Sequence, residues 1–122
     1  MVMIKDNHVD FSGGIKSAII SVKKYLKENN KNLKIEIEVR NQSELEEAIQ
    51  IGGVDRILFD NFSPAELNIA LAMVPNNIET EASGGITIET IKEYAETGVQ
   101  FISVGALTHS YKSIDLSLKA NF

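Results

Sequence analysis

The sequence predicts an α/β protein: the C-terminal part of a (β/α) barrel, with about five parallel strands alternating with helices. Three observations carry this expectation. Short strand-like runs at 2–4, 35–39, 56–59, 78–81 and 101–104 are separated by stretches with helical spacing, the pattern of βα units around a parallel sheet. Residues near the ends of these runs recur regularly, since Glu38, Asp60, Ser83 and Gly105 are 22, 23 and 22 residues apart. That interval is about the length of a strand, a turn, a helix and a turn. Lastly, a closed barrel needs about eight strands and ~250 residues, whereas this chain has 122. Residues 1–122 are therefore expected to form one partial barrel domain, with an open sheet as the alternative.

Each element has a local reason. The first run, Val2–Ile4, leads to Lys5, after which Asp6 and Asn7 suit a turn because their short side chains bond nearby backbone. Ile15, Ala18, Ile19, Val22 and Leu26 then fall on one helical face, with Lys23, Lys24 and Lys27 turned outward. After "IEIEV" (35–39), the string "SELE" offers Ser43 as a helix cap and Glu46 as its reciprocal partner. After "RILF" (56–59), "SPAE" offers Ser63 as N-cap, Pro64 at the first helical position and Glu66 three residues beyond the cap. A fourth helix is expected from about Thr87 to Glu96, stopping at Gly98. The closing "SIDLSLKANF" is expected to add one more strand or turn.

Composition narrows the function classes. Apolar residues make up 43% and charged residues 24%, a globular mixture. A net charge of −5 argues against a broad nucleic-acid-binding face. No apolar run approaches a membrane span and the start has no signal-peptide form. The absence of cysteine excludes a thiol nucleophile, a disulfide framework and a thiolate metal site. A cytoplasmic protein is the expectation.

The residues at the strand ends converge on the carboxyl face, where ligands sit in parallel α/β folds. Lys5 in "IKDNH" can pair with an anionic group or form a Schiff base, or be a plain surface lysine. Alternation puts Glu36 and Glu38 on one side of their strand. Glu38, nearest the end, could hold ribose hydroxyls or a magnesium ion, the alternative being solvated edge-strand glutamates. Asp60 in "LFDNF" suits a metal or a sugar hydroxyl, or a bond to the next turn. The turns Ser83–Gly84–Gly85 and Val104–Gly105–Ala106 follow the last two clear strands, where barrels often bind phosphate; tight packing is the other use of such glycines. His109 could reach the same phosphate or serve as a structural hydrogen-bonding residue.

Together, "IKDNHV", "EIEV", "ILFDNF", "EASGGI", "YAETGV" and "SVGALTHS" resemble the C-terminal barrel portion of quinolinate phosphoribosyltransferase, the carboxylating nicotinate-nucleotide pyrophosphorylase. The resemblance covers essentially the whole chain. It implies a pentosyltransferase of de novo NAD synthesis that converts quinolinate and phosphoribosyl pyrophosphate, with magnesium, to nicotinate mononucleotide, pyrophosphate and carbon dioxide. It further implies Lys5 near a quinolinate carboxylate, Glu38 and Asp60 at the ribose hydroxyls and magnesium, and the two small-residue turns on the 5′-phosphate. No metal-binding residue set of the protein's own is implied. The family acts as a dimer, so a homo-oligomer is expected. Its N-terminal sandwich domain, its first barrel strands and the arginines that clamp quinolinate lie outside this sequence, so the chain alone is expected to be inactive. Three competing readings remain: a Schiff-base aldolase-type barrel using Lys5, a noncatalytic half-barrel that assembles with another chain, and a molybdenum-transport-associated homologue of the family.

Overall fold

The structure is a computed structural model that describes residues 1–108. Its strands are β1 (Val2–Ile4), β2 (Ile35–Val39), β3 (Arg56–Asp60), β4 (Glu79–Ser83) and β5 (Phe101–Ile102). Between them run α1 (Asp6–Ser12), α2 (Ile15–Glu28), α3 (Gln42–Ile51), α4 (Pro64–Leu71) and α5 (Ile91–Glu96), and a 3₁₀ turn at Gly105–Leu107 follows β5. All four pairings are parallel, in the order β1-β2-β3-β4-β5. Consecutive strands are thus neighbours throughout. Doubly wound open sheets reverse their order at a switch point; this progression has no reversal, so it follows the barrel pattern.

The two faces of the sheet differ sharply. Ile4, Ile37, Val39, Ile57, Phe59 and Ala82 form one buried apolar cluster with Ile15, Ala18 and Ile19 of α2, Leu45 and Ala48 of α3, and Leu67 and Ala70 of α4. The helices therefore cover the face that these strand residues share. Period-two alternation sends Glu36, Glu38, Arg56, Leu58, Asp60, Glu79, Glu81 and Ser83 to the opposite, inner face. The strands are thus alternating, not simply apolar.

Several local expectations need correction. A turn was expected at Asp6 and Asn7, yet they open helix α1. Val9 is buried, the Lys5 N–H bonds His8 Nδ1 at 2.9 Å, and Gly13 closes the helix with φ +82°. Packing and end-capping outweigh the weak helix propensity of this segment. The cap of α3 is Asn41, whose side chain accepts from Glu44 N at 3.0 Å, while Ser43 already lies inside the helix. Strand β4 starts at Glu79 rather than Ile78, because the Ile78 N–H is taken by the Pro75 carbonyl. It runs on to Ser83, which pairs in register with Asp60. The ladder of β5 ends at Ile102, two residues short of expectation. Helix α5 begins at Ile91, since Thr87–Thr90 form a turn in which the Thr87 N–H bonds Thr90 Oγ1. As expected, Ser63 and Glu66 cap α4 reciprocally with Pro64 at its start. Gly98 has φ +84° just past α5, the left-handed position that glycine favours.

Toward the amino ends of the strands, the inner face holds an ion cluster. Arg56 donates to Glu79 Oε2 at 2.9 and 3.1 Å and to Glu81 Oε2 at 2.9 Å, and its guanidinium lies 4.0 Å from the Phe101 ring centre. Glu36, only 4% exposed, is 3.8 Å from Arg56 Nη1, and its Oε1 is buried without a hydrogen-bond partner among the described residues. Solvated edge glutamates do not describe Glu36: β2 is an interior strand and the side chain is buried. Burial, followed by the charge of Glu81, pushes its carboxyl from an ordinary 4.5 up to about 7, against the opposing pull of Arg56.

Two outcomes are expected. Asn41→Ala should cost about 1 kcal/mol of stability and Ser43→Ala only a few tenths, as measured by denaturant unfolding; the reverse order would restore Ser43 as the cap. Because the folded-state pKa of Glu36 is raised, its stabilising contribution is complete below the unfolded value and is lost as pH rises through about 7. Glu36→Gln should therefore gain on the wild type from about pH 5 to about pH 8, reaching roughly 1–3 kcal/mol. Unfolding curves across that range check the sign, and a constant difference would contradict it.

Candidate functional site

At the carboxyl ends of β1, β2 and β3, the strand register sets three charged residues side by side. Ile4 pairs with Ile37, so Lys5 emerges beside Glu38; Asp60 ends β3, two residues past the partner of Glu38. Glu38 is partly buried and accepts from Asp6 N at 3.4 Å. Burial raises its pKa first and the charge of Asp60 second, whereas the Asp6 N–H and the Lys5 ammonium act in the opposite direction. Lys5, Glu38 and Asp60 thus form one electrostatic unit. Lys5 itself is exposed at the mouth. Asp60 Oδ2 accepts from Asn61 Nδ2 at 2.9 Å, so its bond to the following turn and its place at the mouth coexist.

The mutual repulsion of Glu38 and Asp60 is what a divalent cation between them would relieve. Among the described residues there is no group of three or more His, Asp or Glu able to hold a metal. Two carboxylates without further protein ligands suit magnesium that arrives with phosphates, because this ion keeps several waters and substrate oxygens.

The two small-residue turns lie next along the mouth. Ser83, Gly84 and Gly85 face Ser103, Val104 and Gly105 across an open recess of about 570 Å³. Gly84 has φ +90°, and a Cβ there would overlap the side chain of Asn61 and come within 2.8 Å of its backbone N. Asn61, itself at φ +58°, donates its N–H to the Ser83 carbonyl at 2.9 Å. Gly84 thus permits close packing against the β3 loop and lines the recess. Gly85 is likewise left-handed, at φ +63°, whereas Gly105 is not; around Gly105 the space is open. The turn after β4 does not lead straight into a helix, because α5 starts only at Ile91, and any anion held there meets turn N–H groups. After β5, by contrast, the 3₁₀ turn begins at Gly105 itself. His109 and the segment "SIDLSLKANF" lie outside the described residues.

Sequence reasoning missed the commitments of the two arginines. Arg40 donates to Glu44 at 2.6 and 3.0 Å and to Asp10 at 2.9 and 3.2 Å, tying α1 to α3 just behind Glu38. Arg56 is held in the inner-face cluster. The spacing of Arg40 and Glu44, four residues apart, signalled the first pair; nothing local signalled Asp10. A cleft of about 200 Å³ between α3 and α4 includes Arg40, Asn41 and Glu66 in its lining, but none of the strand-end candidates.

The fold agrees with comparisons to known proteins. The family described as "Quinolinate phosphoribosyl transferase, C-terminal domain" matches residues 1–119. The chloroplastic nicotinate-nucleotide pyrophosphorylase [carboxylating] of Arabidopsis thaliana is 42% identical over 98% of this chain and 38% of its own length. A probable nicotinate-nucleotide pyrophosphorylase [carboxylating] of Bacillus subtilis (strain 168) is 44% identical over 96% of this chain and 39% of its own. The solved structure of the nicotinate-nucleotide pyrophosphorylase from Francisella tularensis superposes with a TM-score of 0.78 at 41% identity, covering 95% of this chain and 40% of that one. The chain therefore spans about two fifths of the length of these relatives. A match of this extent makes the chain a member of the quinolinate phosphoribosyl transferase family, in its C-terminal domain.

Proposed function

We propose that this chain carries the phosphoribosyl-donor side of a quinolinate phosphoribosyltransferase site. The reaction joins quinolinate to phosphoribosyl pyrophosphate, giving nicotinate mononucleotide, pyrophosphate and carbon dioxide. One observation supports it above others: Lys5, Glu38, Asp60 and both small-residue turns share the carboxyl mouth of one parallel sheet, in a chain of this family.

Each residue has a role in this reading. The N–H groups of Ser83–Gly85 and Val104–Ala106 receive the 5′-phosphate, with His109 as a further partner for it. Glu38 and Asp60 bind the ribose hydroxyls. As pyrophosphate departs, C1′ of the ribose gains positive charge, which fixed carboxylates nearby stabilise electrostatically. The pyridine nitrogen of quinolinate then donates its electron pair to C1′, while Lys5 pairs with a ring carboxylate. The resulting pyridinium accepts the electrons of the C–CO₂ bond; carbon dioxide leaves and the ring carbon takes up a proton. Magnesium bound with the pyrophosphate at Glu38 and Asp60 would neutralise charge on the leaving group. A homo-oligomer and a cytoplasmic location complete the reading. Among the described residues no helix is long and apolar enough to cross a membrane.

Quinolinate is a dicarboxylate and needs bidentate cationic partners. Both arginines of the sequence are committed elsewhere, Arg40 to Asp10 and Glu44, Arg56 to Glu79 and Glu81. The purified 122-residue chain should therefore produce no nicotinate mononucleotide above blank, as followed by chromatography with both substrates and magnesium. Product above blank would refute this account of the missing clamp. The same chain should bind inorganic phosphate, with amide shifts at Gly84, Gly85 and Gly105; no shift at either turn would count against the donor reading.

A further inference from the structure

Four of the six residues in the two turns are glycine or alanine, and of the other two Val104 packs into the core, so little within the turns holds one at a set distance from the other. Something beneath them has to do so. The β4–β5 ladder is nearly exhausted at this level: β5 pairs only through Phe101 and Ile102, and Ser103 N to Ala82 O, at 2.9 Å, is the adjoining backbone bond. One further bond crosses here. Ser103 Oγ donates to Glu81 Oε1 at 2.5 Å.

Glu81 is well suited to anchor that bond. It is 8% exposed, and its second oxygen accepts from Arg56 Nη1 at 2.9 Å. Arg56 in turn is gripped by Glu79 and stacked over Phe101. The carboxylate cannot swing without breaking this chain of contacts. Its position in the sequence matters as much: Glu81 lies two residues before Ser83, and Ser103 lies directly before Val104. A carboxylate so near a phosphate site would ordinarily repel the anion. Here one oxygen is engaged by a guanidinium and the other by a hydroxyl, so its charge is tied inward. Hydrogen bonds to charged groups are the stronger class.

We infer that Glu81 and Ser103 are positioning residues, whose bond sets the separation of the Ser83–Gly85 and Val104–Ala106 turns so that both meet a single phosphate. The inference rests on the donor-phosphate reading above. Both residues lie outside the two turns, and although Ser103 also lines the recess, loss of a mere ligand contact there would leave Gly105 responsive.

The test is an inorganic phosphate titration of the ¹⁵N-labelled 122-residue chain, read residue by residue. Wild type should show saturating shifts at Gly84, Gly85 and Gly105 with one common Kd. Ser103→Ala, at an exposed position, should weaken phosphate about tenfold, the loss expected for one charge-assisted bond. Its Gly84 and Gly85 amides should still respond while Gly105 no longer does, a decoupling that a general loss of stability would not produce. Ser103→Thr keeps the hydroxyl and should restore both the affinity and the Gly105 response. If wild type shows no shifts at the turns, the donor reading itself fails. If wild type binds and Ser103→Ala binds equally well with all three shifts intact, the positioning inference is overturned. A uniform loss of all three responses, unrescued by Ser103→Thr, overturns it too.

Discussion

Parallel, in-register pairing of consecutive strands is the constraint on which everything else in this molecule depends. Each strand is followed by a return segment that brings the chain back to start the next, so every strand ends on the same side. Alternation along each strand then divides its residues between two environments. Isoleucine, valine and phenylalanine pack against helices, while glutamate, aspartate, arginine and serine are stacked on the inner face. Register turns that division into chemistry. Asp60 lies beside Ser83 because β3 and β4 pair residue for residue, and Lys5 emerges beside Glu38 for the same reason.

The inner face is layered. Near the amino ends, Arg56 gathers Glu79 and Glu81 and faces the buried Glu36. Near the carboxyl ends, Lys5, Glu38 and Asp60 stand apart from one another but within electrostatic reach. The lower layer uses its cation in full; the upper layer leaves Lys5 exposed. Ion-paired below, exposed and unbalanced above, the face separates a closed cluster from the candidate site. The Glu81–Ser103 bond ties the lower layer to the segment that follows β5.

Much of this was legible in the residues. The five strands, the 22–23-residue period and the cap of α4 follow from apolar runs and capping chemistry, which are local signals. The period marks Glu38, Asp60, Ser83 and Gly105 as strand-end candidates, while Lys5 is marked only by its place after the first run. What escaped depended on distant partners. Helix α1 could not be read from "DNHVDFS", because its stability comes from burying Val9 and from Gly13 at its end. The bounds of β4 differ by one residue at the start and two at the end: the Ile78 N–H is taken by Pro75, and Ala82 and Ser83, which carry little strand signal of their own, pair with Phe59 and Asp60. For α3, Asn41 and Ser43 are both capping residues, and only the backbone decides between them. Arg40 and Arg56 carry little local sign of their carboxylate partners, which lie up to 30 residues away.

The acidic excess on the inner face has a consequence for how such sheets meet. Five carboxylates (Glu36, Glu38, Asp60, Glu79 and Glu81) share it with Lys5, Arg56 and the Lys34 that pairs with Glu79. Flat sheets with a bare face and open edges tend to stack or add strands indiscriminately. Two copies of this face brought together would press like charge on like charge and strip water from carboxylates that already lack enough cations. The carboxylates of the inner face thereby oppose face-to-face stacking of two such sheets, whatever other surface joins two copies.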